Sequence, residues 1–163
     1  MKKKSDMGSL LGIGAAAGLA GTGVMMAMRM FDQRYSPRTI PKMREDPGAF
    51  MVHRAERMTG LLHTVPKPLE KTAALATHTG YGTMFGALYG LLRGRGGRQS
   101  VLGSGLLLGA AVYAAGYAGW LPALGIGKPI WKQKFPEVAG EAFRHLVYGV
   151  TTAAVYEIID EVV

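Results

Sequence analysis

Charged and uncharged positions alternate along this chain in long blocks, which predicts the elements. Residues 7–28, M-G-S-L-L-G-I-G-A-A-A-G-L-A-G-T-G-V-M-M-A-M, carry no charge. As a helix rising about 1.5 Å per residue they would cross a hydrocarbon core of about 30 Å. Residues 72–92 and 99–127 form two further uncharged runs, joined by the short basic link Arg93-Gly-Arg-Gly-Gly-Arg98, so they should pair as an antiparallel hairpin. Residues 145–156 are uncharged but too few to span. Extension back to Val138, through Arg144 and Glu141, and forward to Ile159 recovers the length. The predicted spanning helices are therefore about 7–29, 72–92, 99–121 and 138–159, all within one membrane domain, 1–163.

The connection 29–71 is polar and broken by Pro37, Pro41, Pro47, Pro66 and Pro68. Within it Asp46-Pro47 predicts a helix cap and first turn. Phe50, Met51, Ala55, Met58, Leu61 and Leu62 then recur at helical spacing, opposite Arg54, Glu56 and Arg57. Segment 46–63 is thus expected to be an amphipathic helix lying at the membrane interface, with a cap folded over the end of the bundle as the alternative. Trp131 among Lys128, Lys132 and Lys134 has the composition of an interfacial anchor.

Two segments are written twice. H-T-G-Y-G-T-M-F-G-A-L-Y at 78–89 shares His, Tyr, Gly, Ala and Tyr with H-L-V-Y-G-V-T-T-A-A-V-Y at 145–156, and 9–20 shares Ser, Leu, three Gly and Ala with 100–111. The expected architecture is all-α: a four-helix integral membrane bundle of two tandem hairpins, related as a parallel repeat about an axis along the membrane normal, with the interfacial helix between helices one and two. Glycines four apart fall on one helix face. Gly14 and Gly18, Gly82, Gly86 and Gly90, Gly105 and Gly109, and Gly149 therefore present small faces, which let membrane helices approach closely where lipid offers no hydrophobic gain.

Composition changes this picture little. Apolar residues make up 48% and there are 24 glycines, as the membrane assignment requires. The formal charge of +8 lies in residues flanking apolar runs, where it meets lipid headgroups rather than nucleic acid. With no cysteine, disulfides, thiolate metal sites and cysteine nucleophiles are excluded. No catalytic signature is present, no metal-binding motif stands out, and an enzyme is not indicated. Lys2, Lys3 and Lys4 favour an inside N-terminus; the larger basic count in 29–71 and 128–137 opposes it but is diluted by five acids in the first of these.

The candidate chemistry is a polar intramembrane cluster: His78, Glu141, Arg144 and His145. Ionisable groups at such depth are functional candidates by default. Three uses present themselves: hydrogen-bonded glue between helices, ion binding or proton relay, or, as the one cofactor candidate, a b-type haem held by His78 and His145. E-A-F-R-H-L-V-Y at 141–148, V-Y-E-I-I at 155–159 and H-T-G-Y-G-T-M-F-G-A-L-Y-G at 78–90 resemble the YagU-like family of small bacterial inner-membrane proteins, over about the last 90 residues. The resemblance implies a multi-pass inner-membrane location, with His78, Glu141, His145 and Glu157 as matching positions, and it transfers no activity. The leading functional expectation is a non-enzymatic protein that associates with itself or with other membrane subunits through its small-residue faces. A small proton- or ion-linked transporter and a haem-binding electron-transfer subunit are the alternatives.

Overall fold

The computed structural model describes residues 6–60, 66–95 and 100–162. Among these the chain is all-α, with no strand beyond an isolated bridge between Met43 and Gly127. Helix α1 spans Met7–Tyr35, α2 Pro47–Thr59, α3 Lys67–Arg95, α4 Val101–Tyr113 and α6 Phe135–Val162. A widened turn over Ala114–Trp120 and the three-residue α5, Leu121–Ala123, continue α4.

Local chemistry sets these limits. Asp6 caps α1 by accepting from the Ser9 N–H at 2.7 Å, and Ser100 caps α4 by accepting from the Gly103 N–H at 2.9 Å. Asp46 accepts from the N–H groups of Gly48 and Ala49 at the start of α2, and Gly60, at φ +75°, closes its other end in the left-handed conformation that favours glycine. The three longest helices outrun the predicted segments: α1 by six residues beyond Arg29, α3 and α6 at both ends. Charge marks where an apolar run stops but does not stop a helix; proline does, and α1 continues to the residue before Ser36-Pro37.

Pro122 reshapes the third predicted helix. It has no N–H to offer the carbonyl four residues back, and the ladder widens before it: the Leu121 N–H donates to the Gly116 carbonyl, five residues earlier. Gly119 leaves helical geometry altogether, at φ −100° and ψ −105°. The regular α-helix therefore ends at Tyr113, short of the predicted 121.

Among the described residues two helices, Met7–Tyr35 and Val101–Ala123, are long and apolar enough to cross a membrane. Helices α3 and α6 match α1 in length but carry Glu70, Lys71 and Arg93, and Glu141, Arg144 and Glu157, within theirs.

The long helices pair α1 with α3 and α4 with α6, and α1 also packs on α6. Glycine makes these approaches feasible. A Cβ on Gly18 would lie 2.6 Å from the Gly82 carbonyl oxygen and 2.8 Å from the Gly86 Cα; one on Gly105 would lie 2.7 Å from the Val150 Cα. Those neighbours are backbone and cannot step aside. Gly86 seats between Gly14 and Gly18, and Gly149 between Gly105 and Gly109. The sequence counterpart of Gly149 is Gly82 rather than Gly86, so the register of α6 against α4 is shifted by four residues, about 6 Å, from that of α3 against α1.

Helix α2 lies on the first half of α3, where Gly48 approaches the Ala74 carbonyl group. It buries Gly48 and Glu56 and leaves Met51, Ala55 and Met58 exposed, so part of its predicted apolar face looks outward. Leu61 and Leu62 lie outside the described residues.

Candidate functional site

On α6 the residues Glu141, Arg144, His145 and Tyr148 follow helical spacing and point into the interior, where all four are buried. Arg144, 1% exposed, is the hub. Its guanidinium pairs with Asp32 of α1, donates to the Glu141 carboxylate at 2.6 Å, and donates to the Thr39 carbonyl at 3.0 Å. Thr39 can come this close because residue 140 is glycine: a Cβ there would lie 2.6 Å from the Thr39 Cβ. One planar cation thus ties α1, the 37–39 turn and α6 together, the forked geometry for which arginine is suited.

His145 Nδ1 lies 2.9 Å from the Glu141 carbonyl oxygen. A carbonyl only accepts, so Nδ1 carries a proton, and in the neutral imidazole Nε2 is then the acceptor. Tyr113 and Tyr117 contact the imidazole edge-on, with ring centroids at 5.5 Å in each case. The widened turn before Pro122 is what carries Tyr117 to this position. Opposite, the Tyr148 hydroxyl donates to the Gly82 carbonyl of α3 at 2.6 Å, and the Trp120 indole donates to the Tyr81 hydroxyl at 3.3 Å.

These groups border a cavity of about 950 Å³ between both hairpins and α2. Its wall is predominantly apolar, with His78, Tyr117, Glu141, Arg144, His145 and Tyr148 on its polar side. All four cluster residues expected from the sequence line it: Glu141, Arg144 and His145 touch one another, and His78 of α3 faces the same space. Tyr89 of α3 and Tyr156 of α6, which occupy the same place in the two similar sequence stretches, pack edge to face at 5.6 Å. The glycines singled out for helix packing, Gly14, Gly18, Gly82, Gly86, Gly90, Gly105, Gly109 and Gly149, are buried at helix contacts within the chain.

Sequence reasoning missed several partners. Asp32 and Thr39 sit in what reads as a polar connection, and only the odd acid among the basic residues 29–38 hints at Asp32. The aromatic wall around His145 depends on a distortion that Pro122 signals but does not locate. Arg93 of α3 also pairs with Glu157 of α6, at 2.5 Å, locking the far ends of those helices.

A helical protein with two membrane-length apolar helices among the described residues and a largely apolar cavity with one polar side is the class these features define. Residues 26–154 match a family described as a protein of unknown function, DUF1440, and the chain belongs to that family. Comparison with curated proteins and with solved structures gave no match.

Proposed function

We propose that this chain is a multi-pass inner-membrane carrier: α1, α3, α4 with its continuation, and α6 cross the bilayer as two tandem hairpins. The cavity between them holds a small, largely apolar solute, and the His78/Glu141/Arg144/His145 wall contacts its polar end and links binding to proton exchange. The observation that carries this is the cavity itself, large enough for a small organic molecule and bordered by the histidines of both hairpins.

Outward-facing Met84, Leu88 and Leu92 on α3, and Phe143 and Ile158 on α6, support lipid contact for the two helices whose charges set them apart. The resemblance to the YagU-like family supports a bacterial inner membrane. The glycine faces on which an assembly role rests are occupied by the chain's own helices. Association with itself or with another subunit would have to use the leucine-rich exterior, so the weight moves to the cavity.

Gly116 gives the test. It borders the cavity, and a Cβ there would meet only the Leu121 Cδ1, at 3.9 Å, so the Gly116→Phe ring should enter the cavity from its wall and crowd a bound solute. Mass spectrometry of the protein purified in mild detergent should find a small molecule that co-purifies with the wild type and is depleted in Gly116→Phe. In proteoliposomes holding a pH dye, that molecule should drive proton movement through the wild type and not through a folded His145→Ala variant. Equal retention in both proteins, or proton movement indifferent to His145, would sink the carrier assignment.

A further inference from the structure

A second polar cluster stands apart from Arg144, where α2 crosses the start of α3. His53 and Glu56 are three residues apart on α2 and share a face; Glu70 lies in the first turn of α3. Each offers one ligand atom, and these atoms lie within 4.8 Å of one another. Glu45, from the connection before α2, holds His53 Nδ1 through its carboxylate, while His53 Nε2 faces Glu70 Oε2 at 4.0 Å. A carboxylate on one imidazole nitrogen fixes the tautomer and turns the other nitrogen's lone pair outward, the outer-sphere arrangement of metal-bound histidines.

Glu56 supplies an independent observation. It is only 6% exposed, and its Oε1 has no hydrogen-bond partner among the described residues. A buried carboxylate oxygen left unpartnered is destabilising. A cation between Glu56, Glu70 and His53 would satisfy it and offset the clustered charge of three glutamates.

We propose that His53, Glu56 and Glu70 bind a divalent first-row transition metal ion, zinc or manganese in class, with Glu45 as the positioning residue for His53. One imidazole with two carboxylates suits such ions better than the all-oxygen shells of magnesium or calcium. In a tetrahedral zinc site with bonds of about 2.0–2.1 Å the ligand atoms stand about 3.3 Å apart. The cluster must therefore contract by up to about 1.5 Å, within reach of glutamate and histidine side-chain rotation. His53 and Glu70 also border the large cavity, so the fourth coordination position faces it and is filled by water or by a ligand donor. Metal binding here can stand or fall independently of the carrier assignment.

The test is isothermal titration of the chelator-stripped, full-length protein in detergent with zinc chloride, and separately with manganese chloride. The wild type should bind one equivalent and melt at a higher temperature with metal present. Glu56→Gln and Glu70→Gln should each lose at least about tenfold in affinity, and Glu45→Gln should lose about 10–100-fold as an outer-sphere change, while Glu157→Gln at the far end of the bundle should bind as the wild type does. Circular dichroism of the metal-free variants separates lost binding from lost fold. If Glu56→Gln does not fold, the half-buried Glu70→Gln carries the test. Absence of one-equivalent binding, or affinity unchanged in the folded Glu56→Gln and Glu70→Gln proteins, would overturn the site.

Discussion

Replacing Arg144 with methionine keeps the side chain long and apolar while removing the cation that holds α1, the 37–39 turn and α6 together. Two carboxylates lose their partner, but unequally. Asp32 is partly exposed, at 21% of its side chain, and is readily rehydrated; Glu141, 3% exposed overall, has far less access to water. His145 Nδ1 lies 3.5 Å from the Glu141 carboxylate but is already committed to the Glu141 backbone carbonyl. The loss should therefore be that of breaking a buried pair and stranding one charge, about 3–5 kcal/mol. Neutralising the stranded group should return part of it: Arg144→Met/Glu141→Gln should be more stable than Arg144→Met alone by about 1 kcal/mol or more. Reversible unfolding in mixed micelles, followed by far-UV circular dichroism, measures all three proteins. An Arg144→Met protein within about 0.5 kcal/mol of wild type, or a double variant less stable than Arg144→Met, would refute the hub.

Gly86→Leu and Gly149→Leu should each destabilise by about 3 kcal/mol or more, at or beyond the upper end for overpacking, because backbone stands in the way: the Gly18 Cα at 2.5 Å and the Gly109 Cα at 2.9 Å from the added carbon. Gly12→Leu, with nothing within 4 Å, should stay within about 0.5 kcal/mol in the same unfolding assay. Tyr148→Phe should lose about 1 kcal/mol with its 2.6 Å bond to the Gly82 carbonyl, and Tyr156→Phe less, its contact to the Gly90 carbonyl being 3.4 Å. The purified protein should show no Soret band, oxidised or reduced. A band lost on replacing His78 or His145 would make these residues haem ligands.

Much of the helical layout was legible because uncharged runs and proline breaks are local signals. Asp46-Pro47 specified the start of α2, and glycines four apart specified which faces meet. Depth and partner choice were not local. The sequence placed Glu141, Arg144 and His145 on one face of α6, but Asp32 and Thr39 reach Arg144 from over 100 residues away, and no periodicity encodes that distance. The repeat suggested equivalent hairpins, whereas Gly149, which is not the counterpart of Gly86, packs between Gly105 and Gly109, a shift of one turn in the register of α6 against α4. Glu56 was assigned to the charged outer side of α2 with Arg54 and Arg57; those two are exposed, and Glu56 alone of the three is buried.

The most direct test of the membrane account uses the absence of cysteine from this chain. Single cysteines at exposed Met7, Met58, Trp131 and Val162 can be probed in intact cells and in opened membranes with an impermeant maleimide. Four crossings predict that positions 7 and 162 label from one side and positions 58 and 131 from the other. If position 131 instead labels with 7 and 162, only α1 and α4 cross, and the two-hairpin membrane bundle is contradicted.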